Sequence, residues 1–296
     1  MTAKILSGQE ISQKIRNNIA SEIKQRNNAN IRTPRLAVIL VGEDPASQIY
    51  VKNKQLAAKE AGMVSKTYNL PATTNQQELL TLINKLNTDP NIDGILVQLP
   101  LPKHINTQAI LEQINPNKDV DGFHPINIGK LLQGHPTFHP CTPYGIMLLI
   151  KETKVALRGL NATVVGASNI VGKPMAFELL HAEATVTICH KWTKDLPSHV
   201  NSADLLIVAT GNPQLIKGSW LKSGAIVIDV GMNRLPNGTI VGDVEFATAK
   251  ERASWITPVP GGVGPMTIAM LLQNTLLANK MAISKSPDAL LRIDPL

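Results

Sequence analysis

Aromatic residues are scarce in this chain of 296 residues: four Phe, three Trp and three Tyr, 3% in all. So few rings make a base-stacking surface hard to build. The formal net charge of +7, carried by scattered basic residues, therefore points to a small polyanionic ligand before nucleic acid. Cysteine is nearly absent as well. Cys141 and Cys189 cannot form the disulfide framework of a small secreted domain, which fits a cytosol or an organelle matrix. No apolar run approaches the roughly 18 residues of a membrane span. The N-terminal MTAKILSGQEISQK lacks the apolar core of a secretory signal, so neither a membrane nor export is expected. His135 and His139 lie near Cys141, but Pro136 and Pro140 interrupt the segment. No helix can present both imidazoles together, and no metal site is expected.

What is present is ordinary for a globular protein, with 43% hydrophobic and 17% charged residues, at a length that suggests two domains. Ser7 and Glu10 form a capping box that predicts a helix to about Asn27. RLAVILVG (35–42) is a continuous apolar run, suited to a strand buried on both faces of a parallel sheet. The helix PASQIYVKNKQLAAKEAG follows and closes at Gly62. A short strand near 63–69, a helix beginning near Thr74 and a buried strand in DGILVQLPLP (93–102) continue the alternation, which predicts right-handed βαβ units. Between Asn115 and Pro143 the stretches NPNKDVDGFHP and GHPTFHPCTP read as loops and a boundary. A helix of about 143–152 then leads into four buried strands, ATVVGAS, ATVTICH, DLLIVAT and AIVIDVG, which resemble a doubly wound nucleotide-binding sheet. TPVPGGVGP (257–265) launches an apolar helix of about 266–278.

Two features carry chemistry. Tyr50 and Lys54 are stacked at i and i+4 in SQIYVKNK, and this spacing alone reads as a surface pair in which the lysine snorkels. GASNIVGKP (166–174) ends the first strand of the second half. It departs from the dinucleotide fingerprint, which would put glycines at 166, 168 and 171, and from a P-loop, because Pro174 stands where Ser or Thr would hold magnesium. A strand-to-helix turn with Gly166 and Gly172 still lets backbone N–H groups approach a pyrophosphate; a tight turn without a ligand is the alternative. The next strand ends in His190-Lys191 with no carboxylate before Asp195, which favours NADP over NAD.

In order and spacing, SQIYVKNK, GILVQLPLP, NPNKDVDGFHP, PCTPYG, GASNIVGKP, DVGMNR and TPVPGGVGPMT resemble the bifunctional methylenetetrahydrofolate dehydrogenase/methenyltetrahydrofolate cyclohydrolase family. The likeness covers nearly the whole chain. It implies an α/β fold of two domains flanking a cleft, the second a Rossmann-like NADP-binding sheet. The folate-binding catalytic domain is expected over 1–140, with 267–296 packing back on it, and the NADP domain over 141–266. The implied activity is NADP-dependent oxidation of 5,10-methylenetetrahydrofolate, then hydrolysis of the methenyl product to 10-formyltetrahydrofolate. Such an enzyme belongs to one-carbon metabolism and purine biosynthesis, in a cytoplasmic homodimer without nucleic-acid or membrane partners. A formate-activating synthetase is not expected, since the chain has no P-loop.

Position by position, the resemblance makes Lys54 the catalytic lysine, Tyr50 the ring that stacks on the folate, Gln98 the lysine's hydrogen-bond partner and Asp121 the anchor of the pterin. Without it, Asp121 in DVDG would read as a turn residue, or with Asp119 as a metal ligand. Gly166, Ala167 and Ser168 correspond to the NADP loop, Met232 to an apolar residue near the cofactor, and Thr267 to a residue at the cleft. Many members carry Arg in place of Ala167 and Ser-Arg in place of Lys191-Trp192, so Lys191 becomes the candidate for the 2'-phosphate. Pro260, Gly261 and Gly262 are expected to line the nicotinamide and folate pockets, with a cis peptide before Pro100 or Pro260. The competing reading keeps the fold and changes the substrate, to an amino acid or a shikimate-like acid.

Overall fold

The computed structural model describes residues 2–284. Strand β1 (Lys4–Ile5) and helix α1 (Gly8–Asn28) lead into β2 (Arg35–Val41), α2 (Pro45–Glu60), β3 (Val64–Leu70), α3 (Gln76–Thr88) and β4 (Gly94–Val97). Helices α4 (Thr107–Gln113), α5 (Pro125–Leu132) and α6 (Cys141–Glu152) follow. Next come β5 (Asn161–Val165), α7 (Gly172–His181), β6 (Thr185–Cys189), α8 (Leu196–Asn201), β7 (Leu205–Val208) and β8 (Ile226–Asp229). The chain continues through β9 (Asn233–Arg234), β10 (Ile240–Val241), α9 (Phe246–Ala249), β11 (Trp255–Ile256) and α10 (Val263–Ile283).

These residues divide into two units. One runs from Lys14 to His139 and resumes at Ile268. Its parallel sheet has the order β3-β2-β4. β2 is central, and all but Arg35 of RLAVILV is buried, because helices cover both faces of such a sheet. On one side Ile39, Val41, Ile95 and Val97 pack with Leu79, Ile83 and Ile110. Elsewhere Ile19 and Ile23 of α1 pack with Ala57 and Ala58 of α2 and with Leu272 and Leu276 of α10. Each such fully buried Leu or Ile contributes about 1.5–3 kcal/mol. The 285–296 part of the segment expected to pack back lies outside the described residues.

The other unit joins the segment up to Gln13 to Pro140–Thr267. Its six-stranded sheet has the order β1-β11-β8-β7-β5-β6, with parallel pairing between neighbours. The N-terminal residues belong here because β1 pairs with β11 in the register Lys4↔Trp255 and Ile5↔Ile256. That grouping differs from the expected range of 1–140. An antiparallel pair, β9 with β10, stands apart from this sheet.

Several boundaries differ from the sequence expectations. The last helix starts at Val263 and runs to Ile283, longer than 266–278, because Gly264 and Pro265 are tolerated in a first turn. The stretch read as loops contains α5, opened by Pro125 behind His124, whose Nδ1 accepts Ile126 N–H at 3.1 Å. β6 is not buried: it is the sheet's edge, with Thr185, Thr187 and Ile188 exposed. Gly62 does end α2 as expected, at φ +77°, with Met63 N–H donating to Ala58 O at 2.8 Å, a reverse turn that satisfies the helix's last carbonyls.

Candidate functional site

Helix α2 starts at Pro45 behind Asp44, whose carboxylate accepts Ser47 N–H at 2.8 Å. That start phases the helix so that Ser47, Val51, Lys54, Ala57 and Ala58 are buried, the i, i+4, i+7 stripe of an amphipathic helix. Lys54 therefore occupies a core position, 8% exposed, and is no surface lysine. Its Nζ donates to Gln98 Oε1 at 3.0 Å. Gln98 follows β4 directly; its N–H still bonds Ile39 O at 2.9 Å, and its Nε2 donates to Leu99 O at 2.7 Å. The backbone thus holds the amide nitrogen and leaves the oxygen to the lysine. Tyr50, one turn before Lys54, is half-buried, and burial raises its phenol above the usual range. The bonds before Pro100 and Pro260 are both cis, where one was expected.

Asp121 is partly exposed, and burial of its carboxyl pushes it up to about 6, against a downward pull from Lys54 and with a further upward push from Asp119. Asp121 therefore lies within electrostatic reach of the lysine. Asp119 is occupied otherwise. It is 2% exposed, accepts the N–H groups of Phe123 and His124 and the Asn127 side-chain amide at 3.2, 2.8 and 2.8 Å, and so shapes the loop. Those three donors account for its oxygens without a metal. Among the described residues no group of three or more His, Cys, Asp or Glu side chains could hold a metal ion.

The remaining expected residues lie in the other unit. Gly166 follows β5 directly; its φ is +124°, and an added Cβ there would sit 2.1 Å from Ala209 O. At Gly172 a Cβ would fall 1.9 Å from Gly166 O. Only glycine fits this turn, and it leads into the N-terminus of α7, so the residues present fit a dinucleotide's phosphates. Ser168 tightens the turn, its Oγ accepting Val171 and Gly172 N–H at 3.2 and 3.4 Å. Ala167 is half-buried and offers no charge. Gly166 N–H donates to Cys189 O at 2.9 Å, so the loop after β6 starts beside the glycine turn. In that loop Lys191 is exposed and its Nζ lies 5.1 Å from the centre of the Trp192 ring.

Met232 is 40% exposed, and its Cε lies 3.4 Å from where a Cβ on Gly264 would stand. Gly261 sits at φ +103°, accepts Gln9 N–H at 3.1 Å and follows Pro260, itself exposed. Gly262 is buried, so close to Gly8 that a Cβ there would meet Gly262 O at 1.7 Å. Thr267 Oγ1 shares a 2.9 Å hydrogen bond with Thr142 Oγ1. The structure thus brings together Lys54, Gln98 and Asp121 in one unit, and Met232 with the 257–265 loop in the other. Sequence reasoning missed Asn274 on α10, buried and donating to Val120 O and His139 O at 2.9 Å. An amide on an otherwise apolar helix face was the available signal.

A parallel sheet with a glycine turn at the carboxyl end of β5, alongside a second α/β unit with a buried lysine held by a neutral amide, defines a dinucleotide-dependent enzyme of two units. The chain belongs to the tetrahydrofolate dehydrogenase/cyclohydrolase family: residues 6–121 match the model of its catalytic domain and residues 140–283 that of its NAD(P)-binding domain. The bifunctional methylenetetrahydrofolate dehydrogenase/cyclohydrolase FolD of Campylobacter jejuni is 52% identical, with 94% of this chain and 99% of that one covered at a TM-score of 0.91. The Trypanosoma brucei enzyme, solved with NADP cofactor and inhibitor, is 37% identical over 96% and 99% of the two chains, with a TM-score of 0.92. A methylenetetrahydrofolate dehydrogenase of the silkworm Bombyx mori is 41% identical over 94% and 98%, at 0.89. The competing substrate reading has only a likeness of fold behind it, to a shikimate dehydrogenase of Thermus thermophilus at 14% identity and a TM-score of 0.51.

Proposed function

We propose that the chain oxidises 5,10-methylenetetrahydrofolate with NADP and hydrolyses the methenyl product to 10-formyltetrahydrofolate, with Lys54 as proton carrier. The observation that carries this reading is the 3.0 Å contact from buried Lys54 to Gln98. Bound NADP supplies the acceptor for the hydride that leaves the methylene carbon. The methenyl carbon that results is electrophilic, so hydrolysis chiefly needs a proton taken from water and one delivered to the departing ring nitrogen. Lys54 can do both. The Gln98 oxygen, an uncharged acceptor, orients the amine for both transfers. Asp121 as a carboxylate accepts the pterin's amino and ring N–H donors, and Tyr50 supplies the flat apolar surface for the ring.

The preference for NADP is supported by Lys191, a cation beside the glycine turn where an NAD enzyme would place a carboxylate. Gly166, Ala167 and Ser168 form the phosphate turn in this reading. Met232, Thr267 and the Pro260–Gly262 segment are the residues offered to the nicotinamide end of the cofactor in this reading. A homodimer is supported by the edge of β6, which among the described residues has a neighbouring strand on one side only, where Ile188 is 42% exposed and a second copy would satisfy the strand. Cys141 and Cys189 are buried and outside any disulfide, which agrees with the cytoplasm. A role in purine biosynthesis rests on the proposed 10-formyltetrahydrofolate product.

Lys54→Met tests the proton carrier, since methionine fills the same unbranched space without an amine. Methenyl hydrolysis should fall by about 10²–10⁴-fold, and hydride transfer by clearly less. An unimpaired cyclohydrolase would remove the role given to Lys54.

A further inference from the structure

Two buried acids in the unit that carries the glycine turn take no part in the reaction as derived so far. Asp229 is the last residue of β8 and is 3% exposed; Asp243 follows β10 by two residues and is 0% exposed. Asp229 accepts three backbone N–H groups, from Gly231, Asp243 and Val244, each at 2.9 Å. Asp243 accepts four donors. Its Oδ2 takes Thr210 N–H at 2.6 Å, Thr210 Oγ1 at 2.9 Å and Gly211 N–H at 2.9 Å, and its Oδ1 takes the Asn233 side-chain amide at 2.8 Å. All of these donors are uncharged, so the pair acts as a geometric brace and not as a partner to a cation. Glycine is required around it. A Cβ on Gly231 would lie 2.3 Å from Asp243 Oδ1, and one on Gly242 would lie 1.9 Å from Asp229 Oδ2.

The braced segments are not core strands. Thr210 and Gly211 open the loop beyond the carboxyl end of β7, Gly211 being exposed at φ +66°, and Gly231 and Asn233 flank the exposed Met232. In open α/β sheets ligands bind at the carboxyl ends of the strands. We infer that Asp243, backed by Asp229, is a positioning residue for NADP, fixing the Thr210–Gly211 turn and the Met232 loop at the edge that receives the dinucleotide. This rests on the NADP reading proposed above. Burial pushes Asp229 up to about 6, eased by its N–H donors, so the brace relies on those donors being in place.

Asp243→Asn keeps the shape but turns one acceptor oxygen into a donor facing N–H groups. The KM for NADP should rise by about tenfold or more, the loss expected for a hydrogen bond to a charged group. The direct hydrolysis of methenyltetrahydrofolate, whose proposed proton carrier Lys54 and pterin anchor Asp121 lie in the other unit, should stay within about twofold. If that variant does not fold, Asn233→Ala, which removes a single donor from Asp243 Oδ1, should raise the KM for NADP by about threefold to tenfold on the same scale. An unchanged KM for NADP, or a parallel loss of hydrolysis, would overturn the inference. A wild-type protein that reduced no NADP would sink the reading on which it rests.

Discussion

At the scale of single residues, Asp121 makes the sharpest statement about pH. Burial raises its carboxyl to about 6, so the charged acceptor proposed for the pterin is present above that pH and lost below it. Lowering the pH through 6 should therefore reduce kcat/KM for the folate, by about tenfold per unit well below the inflection, since this ratio reports the free enzyme. Asp121→Asn should abolish the inflection; a profile that keeps it would assign it to another group. Tyr50 and Lys54 show how little spacing says by itself. It places two side chains on one face, and the burial of that face came from the phase of α2, fixed by Asp44 and Pro45. Asp229 and Asp243 were illegible because residues that meet through loops have no periodicity.

At the scale of elements, the capping box on α3 was legible as Asn75 with Glu78 three residues on, and the expectation of a helix near Thr74 passed over it. Asn75 accepts Glu78 N–H at 2.9 Å, and Glu78 returns to Asn75 N–H at 3.1 Å. Asn75→Ala should cost about 1 kcal/mol of stability, measured by urea unfolding, with both activities unchanged. A loss of activity would mean that this turn does more than cap a helix. The buried strands were legible because β7 and all but Arg35 of β2 are continuous apolar runs, and β5 and β8 are apolar but for Asn161, Thr163 and Asp229. β1 and β11 were missed because each pairs over two residues, too few for any pattern. Threonine at alternate positions of TVTIC marked β6 as one-faced, and the reading of it as buried passed over that signal.

At the scale of the whole molecule, two series of alternating strands and helices were legible because each strand needs helices to cover it. The division into units was less so, since β1 joins the sheet of residues far along the chain. Cofactor choice belongs to this scale. Lys191→Ala should raise the KM for NADP about tenfold and that for NAD little, because the two cofactors differ only in the phosphate a cation would meet; equal effects would refute the assignment. The central claim, one chain performing oxidation and hydrolysis in sequence, is tested most directly by absorbance during turnover. With methylenetetrahydrofolate and NADP the methenyl band should rise and then decay as 10-formyltetrahydrofolate forms, while NADPH persists. No NADP-dependent rise, or a methenyl band that never decays faster than it does without enzyme, would contradict the account.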